Sequence, residues 1–308
     1  MSRDVTPGAA PSPPAIEIRQ IAYSDETLAG LDPGFLRLDN RGNPRPDWWE
    51  YDPIRRHLLR HPPDAETFYG FLSPRFGEKT GLTAQQVHRF VRDCAPHADV
   101  VTFSPQFDMG AFFLNLYEQN ELFDPGFSTC AQQFFDTVPD LLAGAEGRPI
   151  DVAGLLMDSR QVVVSNYFVA RRPFWQAWLA INERLFAICE GPDSPLKQQL
   201  TAPTTYKGGA ARKIFLSERI ASTLLACQPH WRVRAWNPIG LAWSASRLNQ
   251  FPHEAVLSDA LKIAARETGH PQFLAAFARV RQVLRTDPGG DTRQPLASDA
   301  GAGPRQSA

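Results

Sequence analysis

A chain of 308 residues that is 43% hydrophobic and 21% charged has globular composition and enough apolar material for a sizeable core, one or two domains' worth. No window approaches the roughly 20 apolar residues that a membrane-spanning helix needs. With 32 Lys and Arg against 33 Asp and Glu the formal charge is −1, so no global positive field points to nucleic acid and any anionic ligand must be met locally.

The opening "MSRDVTPGAAPSPPA" lacks the apolar core of a secretory signal and reads as a flexible leader over residues 1–14. A cytoplasmic location is expected, with peripheral membrane association left open. Cys94, Cys130, Cys189 and Cys227 are far apart, with no Cys-x-x-Cys and no zinc spacing, and read as reduced, buried thiols.

"AIEIRQIAYSDE" (Ala15 to Glu26) alternates branched apolar and polar residues and predicts a first strand. "LDPGFLRLDNRGNPRPDWWEY" is dense in turn formers and reads as mostly loop, followed by helical spacing from Trp48 to Arg60 after an Asp47 cap, with Pro53 in the first turn. "FYGFLSPRFGEKTG" (Phe68 to Gly81) predicts a strand that ends abruptly in cations and a turn, and "LTAQQVHRFVRDCA" predicts a helix capped by Thr83. "ADVVTFSP" is a clear strand, Asn115 to Asn120 and "PGFSTCAQQFFDTV" are helical, and "SRQVVVSNYFVA" (Ser159 to Ala170) predicts a strand with a polar break at Ser165 and Asn166. "FWQAWLAINERLFAICE" is an amphipathic helix. A loop, "TAPTTYKGGAAR", leads into the helix "KIFLSERIASTLLA". Beyond residue 230 the pattern predicts two helices broken near Gly269 to Pro271, then a disordered tail over 286–308. Strands separated by helices predict an α/β fold with a mostly parallel central sheet flanked by helices and a helical C-terminal cap.

Taken in order, "WWEYDPIRRHL", "YGFLSPRF", "NLYEQNE", "VSNYFVARRPFWQAWL" and "LSERIASTLL" resemble a bacterial family of glycosyltransferase-like proteins from capsule and surface-polysaccharide gene clusters. That family carries a Glu-Leu-Thr helix, a strand ending Gly-Leu-x-His-Tyr-Arg-Arg, a Glu-Gln-Tyr segment, an Asn-Met-Phe-Ile strand before a Trp-rich helix, and a Glu-Arg-Leu helix. The resemblance covers about residues 16 to 228. It implies a GT-A-like domain over 15–230 with a helical extension over 231–285, a nucleotide-diphosphate sugar as donor, and a growing glycan or lipid-linked sugar as acceptor. One departure stands out: Ser73-Pro74-Arg75-Phe76 replaces His-Tyr-Arg-Arg, so one cation aligns and the family's His has no counterpart.

Such a transfer needs a cradle for the pyrophosphate, charge compensation as it leaves, and a base for the acceptor hydroxyl. A divalent cation, Mn or Mg, is compatible with that chemistry, but no Asp-x-Asp stands at a strand end to hold one. Arg75 and Lys79, with Ser73, occupy the place where one is expected; they either neutralise the leaving diphosphate or are solvated residues in a surface turn. Tyr23 and Asp25 end the first strand, where a base or ribose would lie, although a strand-end acid is as often a helix cap. Glu50 aligns with the Glu of the Glu-Leu-Thr motif beside Trp48 and Trp49, of which Trp49 is the candidate for a sugar face and core packing the alternative. Arg55 and Arg56 either reach phosphate or face solvent. Asn166 binds a sugar hydroxyl or braces a loop. Glu218 is a candidate acceptor base or sugar ligand, Asp158 is either a general base or one half of a structural ion pair with the cation beside it, and Arg219 is either a phosphate ligand or one half of a structural pair with Glu218. Lys207, Arg212 and Lys213, flanking Gly208 and Gly209, form a candidate lid.

The seven histidines form no catalytic or metal spacing, and no Gly-x-Ser-x-Gly, Walker loop or dinucleotide fingerprint is present. Hydrolase, nucleotide triphosphatase and dehydrogenase readings lose ground. Three readings of the sequence remain: a glycosyltransferase, a catalytically inactive sugar- or partner-binding relative acting within a synthesis complex, and a structural helical-α/β adaptor with no small ligand.

Overall fold

The computed structural model describes residues 14–142, 149–206 and 209–286, side chains to 282. Residues 1–13, most of the leader, fall outside it, as do Lys207, Gly208 and the tail beyond 286.

The chain builds a mixed sheet of six strands with helices on both faces. Strand β1 (Ile16–Ala22) leads through the short helix α1 (Asp25–Ala29) to β2 (Leu36–Asp39). Helix α2 (Tyr51–Arg60) then returns the chain to the other side of β1 as β3 (Phe68–Leu72). Helices α3 (Phe76–Thr80) and α4 (Ala84–Cys94) precede β4 (Val100–Thr102). After α5 (Phe107–Ala111), α6 (Leu116–Glu121) and α7 (Phe127–Phe135) comes β5 (Phe168–Arg171), running straight into the long helix α8 (Arg172–Glu190). Helices α9 (Pro195–Thr201) and α10 (Arg212–Cys227) lead to β6 (Val233–Ala235), and α11 (Pro252–Thr268) and α12 (Pro271–Thr286) finish the fold.

The strand order is β2-β1-β3-β5-β4-β6, and β5 is antiparallel to both its neighbours while the other pairs are parallel. Two properties follow. The carboxyl ends of the five parallel strands share one edge of the sheet, and β5 presents its amino end there. The chain leaves β1 for β2 on one side and reaches β3 on the other, so the crevice outside the ends of β1 and β3 is a topological switch point, where open α/β sheets receive ligands.

Alternation along β3 shows how the layers close. Tyr69 and Phe71 point into the larger core with Trp175, Trp178, Leu185 and Ile220 of α8 and α10, while Phe68 and Leu72 join Val87, Val91 and Val101 on the α4 side. Between them Gly70 leaves no room: a Cβ there would lie 2.8 Å from Val169 and 3.3 Å from Ile18. The Thr83 cap is a full capping box with Gln86, and Gly269 ends α11 in the left-handed conformation.

Several local expectations change. The helix after Trp48 starts at Tyr51, with Glu50 at its N-cap; Asp47 instead pairs with Arg45 and Lys213. Pro53 does sit in the first turn. The expected strand 159–170 contracts to Phe168–Arg171, because Ser165 and Asn166 adopt left-handed backbone with φ of 57° and 53°. The first strand stops at Ala22, and Ser24 caps α1. Strand β2 arises inside the stretch read as loop, and the sheet takes β6 from beyond residue 230. All four cysteines are free thiols, Cys94 half-buried and the others buried. None of the described helices is long and apolar enough to cross a membrane.

Candidate functional site at the switch point

The first strand delivers Tyr23 to the crevice, and β3 delivers Ser73 immediately after Leu72. Because β5 enters from the opposite direction, Tyr167 meets them there: its hydroxyl is 2.5 Å from Ser73 Oγ. Helix α3, absent from the sequence expectation, turns Lys79 back over the crevice. Its ammonium donates to Ser165 Oγ at 3.1 Å and lies 5.7 Å from the centre of the Tyr167 ring.

Two carboxylates join this cluster. Glu50 comes from the start of α2 and Glu218 from α10, and both are half-buried. Among the described residues neither forms an ion pair. Burial, opposed in part by Lys79, raises the pKa of Glu50. Glu218 is pushed up to about 7, first by burial and then by the charge of Glu50, against the pull of Arg219 and Lys79. A carboxyl group that titrates near neutrality, beside a second carboxylate and a lysine, has the range that proton transfer at physiological pH requires.

The walls are aromatic. Trp49 stands 6.0 Å from Tyr206, ring to ring, and Tyr206 has its pKa raised by burial and by Glu218. The Tyr23 hydroxyl is buried with no hydrogen-bond partner, and burial together with Glu50 and Asp52 holds it strongly to its proton. Backbone strain converges on the same place. Of the five described non-glycine residues with positive φ, Trp49, Ser165 and Asn166 are all here, each such conformation costing about 1–3 kcal/mol and least for Asn. Asn166 is 3% exposed and its Oδ1 is unpartnered.

Thus Tyr23, Trp49, Glu50, Ser73, Lys79, Asn166 and Glu218, scattered through the sequence, come together. Arg75 is at the rim: burial and hydrogen bonding set its environment, with its Nε donating to Glu78 at 2.8 Å and the two Tyr rings 167 and 206 within electrostatic reach. The strand terminus therefore keeps Lys79 directed inward while Glu78 balances Arg75. Asp25 lies outside the recess, in an adjoining open depression that also includes Tyr23, Asp39 and Arg41, and it accepts a hydrogen bond from Arg41 at 2.5 Å.

Other expected participants are elsewhere. Asp158 is fully buried against Arg160 (2.9 Å) and Arg266 (3.4 Å), where it ties α11 to the preceding loop and is not available as a base in the recess. Arg219, one residue from Glu218, turns inward: it donates to the Leu116 and Phe215 carbonyls and to Asn120 and Gln119, so its guanidinium holds α6 against α10 and is not a phosphate ligand. Arg55 pairs with Glu183 and Arg56 with Asp52. In the expected lid, Arg212 pairs with Asp124, and Lys213 with Asp47 while capping the Trp48 ring at 4.1 Å. Trp48 is core; Trp49 is half-buried against Tyr206.

Tyr167 and Tyr206 are the contributors that sequence reasoning passed over. Each adjoins a residue singled out for polarity or flexibility, Asn166 and the Gly208-Gly209 loop, which is the signal that marks them. Among the described residues no group of three or more His, Cys, Asp or Glu is placed to hold a metal ion. Compared with known proteins, the chain matches no family model, no curated protein and no solved structure.

Proposed function

We propose that the protein is a glycosyltransferase that moves a sugar from a nucleotide-diphosphate donor to a hydroxyl of a glycan or lipid-linked acceptor in surface-polysaccharide synthesis, on a GT-A-like sheet. The observation that carries this reading is the clustering of Glu218, a carboxyl pushed up to about 7, with Glu50, Lys79 and Tyr206 at the switch point of an α/β sheet. Trp49 and Tyr206 offer apolar faces to a pyranose ring. Glu218, ionised, takes the acceptor hydroxyl proton as that oxygen bonds to the anomeric carbon; the bond from this carbon to the diphosphate oxygen breaks, and the electron pair leaves with the diphosphate. Lys79 balances the charge that develops on the departing oxygen. The open depression lined by Tyr23, Asp25, Asp39 and Arg41 supports a nucleoside subsite next to this cluster.

Thermal-shift titration of the full chain with uridine, guanosine and cytidine diphosphates, with and without Mn, tests the reading. Stabilisation by one of them, lost in the Arg75→Ala, Lys79→Ala double variant, supports it. A folded protein that responds to none of them overturns it. Glu78's hold on Arg75 favours a second reading, a sugar-binding relative that performs no transfer; glycan binding without nucleotide binding or donor turnover is its signature.

A further inference from the structure

Residues 163–167 approach β5 as irregular backbone and bring Ser165, Asn166 and Tyr167 to the site. Buried backbone outside helix and sheet must find its partners elsewhere, and here two of them are side chains from separate elements. Val163 N–H donates to Ser222 Oγ at 2.8 Å, and the Ser222 hydroxyl points back to the Val163 carbonyl at 3.4 Å. Val164 N–H donates to Ser104 Oγ, just beyond β4, at 2.9 Å. The turn closes on itself through Tyr167 N–H to the Val164 carbonyl and Phe168 N–H to the Asn166 carbonyl, and Phe103 N–H ties the Tyr167 carbonyl to the end of β4. The segment held in this way then holds the site. Ser165 Oγ accepts from the Lys79 ammonium at 3.1 Å, and the Tyr167 hydroxyl meets Ser73 Oγ at 2.5 Å.

Ser222 has a second connection. It is fully buried on α10 one helical turn beyond Glu218, so the two side chains project from the same face of that helix. That face meets the segment twice, Ser222 at Val163 and Glu218 through its charge at Tyr167. We propose that Ser222, together with Ser104, is a positioning residue for anion binding: by fixing Val163 and Val164 the two hydroxyls set Ser165, and through it the Lys79 ammonium, in register with Glu218. This role rests on the reading of the site as one for a diphosphate, and both serines act through the backbone that carries Ser165. They work by preorganisation, since displacing a site group by about 1 Å forfeits much of its worth.

Isothermal titration of the full chain with inorganic pyrophosphate, alongside thermal melts, separates positioning from stability. Ser222→Ala leaves the Val163 N–H buried and unpaired, so it should lower the melting temperature and also weaken pyrophosphate about tenfold. Thr223→Ala is the control. The Thr223 hydroxyl is equally buried on the same helix but is bonded to the Tyr117 hydroxyl and the Arg219 carbonyl, so its loss should lower the melting temperature and leave the affinity unchanged. Ser104→Ala reaches the segment from the end of β4 and should weaken pyrophosphate several-fold, which decides the matter if Ser222→Ala does not fold. Wild-type affinity in the folded serine variants, or an equal loss in Thr223→Ala, overturns the positioning role and leaves the diphosphate site standing. A wild-type chain that is folded and binds no pyrophosphate removes the diphosphate reading and the positioning role with it.

Discussion

Glu50 and Glu218 reach one recess from two different helices, and the charge of Glu50 raises the pKa of Glu218. Two half-buried carboxylates so arranged resist being ionised together, which leaves a proton available at neutral pH.

If Glu218 is the base, turnover should rise with pH through about 7 as it ionises. Glu50→Gln removes a neighbouring negative charge and should move that rise to lower pH, while Glu218→Gln should cost about 100-fold or more in kcat. A pH–rate profile of donor turnover for the three proteins checks this, and an unshifted profile in Glu50→Gln refutes the coupling.

The same group makes stability depend on pH. Its folded-state pKa of about 7 exceeds the ordinary 4.5, so the folded protein binds the proton more readily than the unfolded chain does. This contribution is fully present below pH 4.5 and is lost as pH rises through 7. Because Glu218 is only half-buried, the difference should be on the order of 1 kcal/mol. Glu218→Gln should flatten this part of the curve of melting temperature against pH.

Lys79→Ala should weaken nucleoside diphosphate binding about 10- to 100-fold, the range for a charged hydrogen bond. Arg75→Ala should cost less, since Glu78 already engages that guanidinium. Titration calorimetry ranks the two, and a larger loss from Arg75→Ala would place the anion at the rim instead of in the recess.

Asp158→Ala should lower stability by about 3 kcal/mol, because it leaves Arg266 partly buried without its carboxylate, yet should leave diphosphate affinity unchanged. Denaturant melts and diphosphate titration on the same sample check both, and unchanged stability refutes the tie between Asp158 and α11.

Gly70→Ala should cost about 1–3 kcal/mol, since its Cβ would press on Val169 and Ile18 at the centre of the sheet. Unchanged stability would mean that β3 and β5 are not packed as described.

The elements with strong periodicity were legible in the sequence: α8, α10 and the capped α4 fall where their patterns place them. Strands β2 and β6 were not, because four and three residues on sheet edges carry too little alternation to stand out from turn formers. Most of the recess was legible too. Phe68 to Gly81 reads as an apolar run ending in cations, and Lys79 of that run reaches across to Ser165, just before β5. What the sequence could not show is which member of an adjacent pair turns inward. Glu218 and Arg219, and Trp48 and Trp49, divide between site and scaffold according to local backbone phase and available partners, which only the packed fold determines.

Lys213 does more than neutralise Asp47. It sits on α10, five residues before Glu218, and grips both the Asp47 carboxylate and the Trp48 ring just ahead of Glu50. The two recess carboxylates are thereby fastened to a common brace, so a shift of α10 carries its opposite number along. Breathing of the fold would open or tighten the mouth of the recess before it altered the spacing of the two acids within.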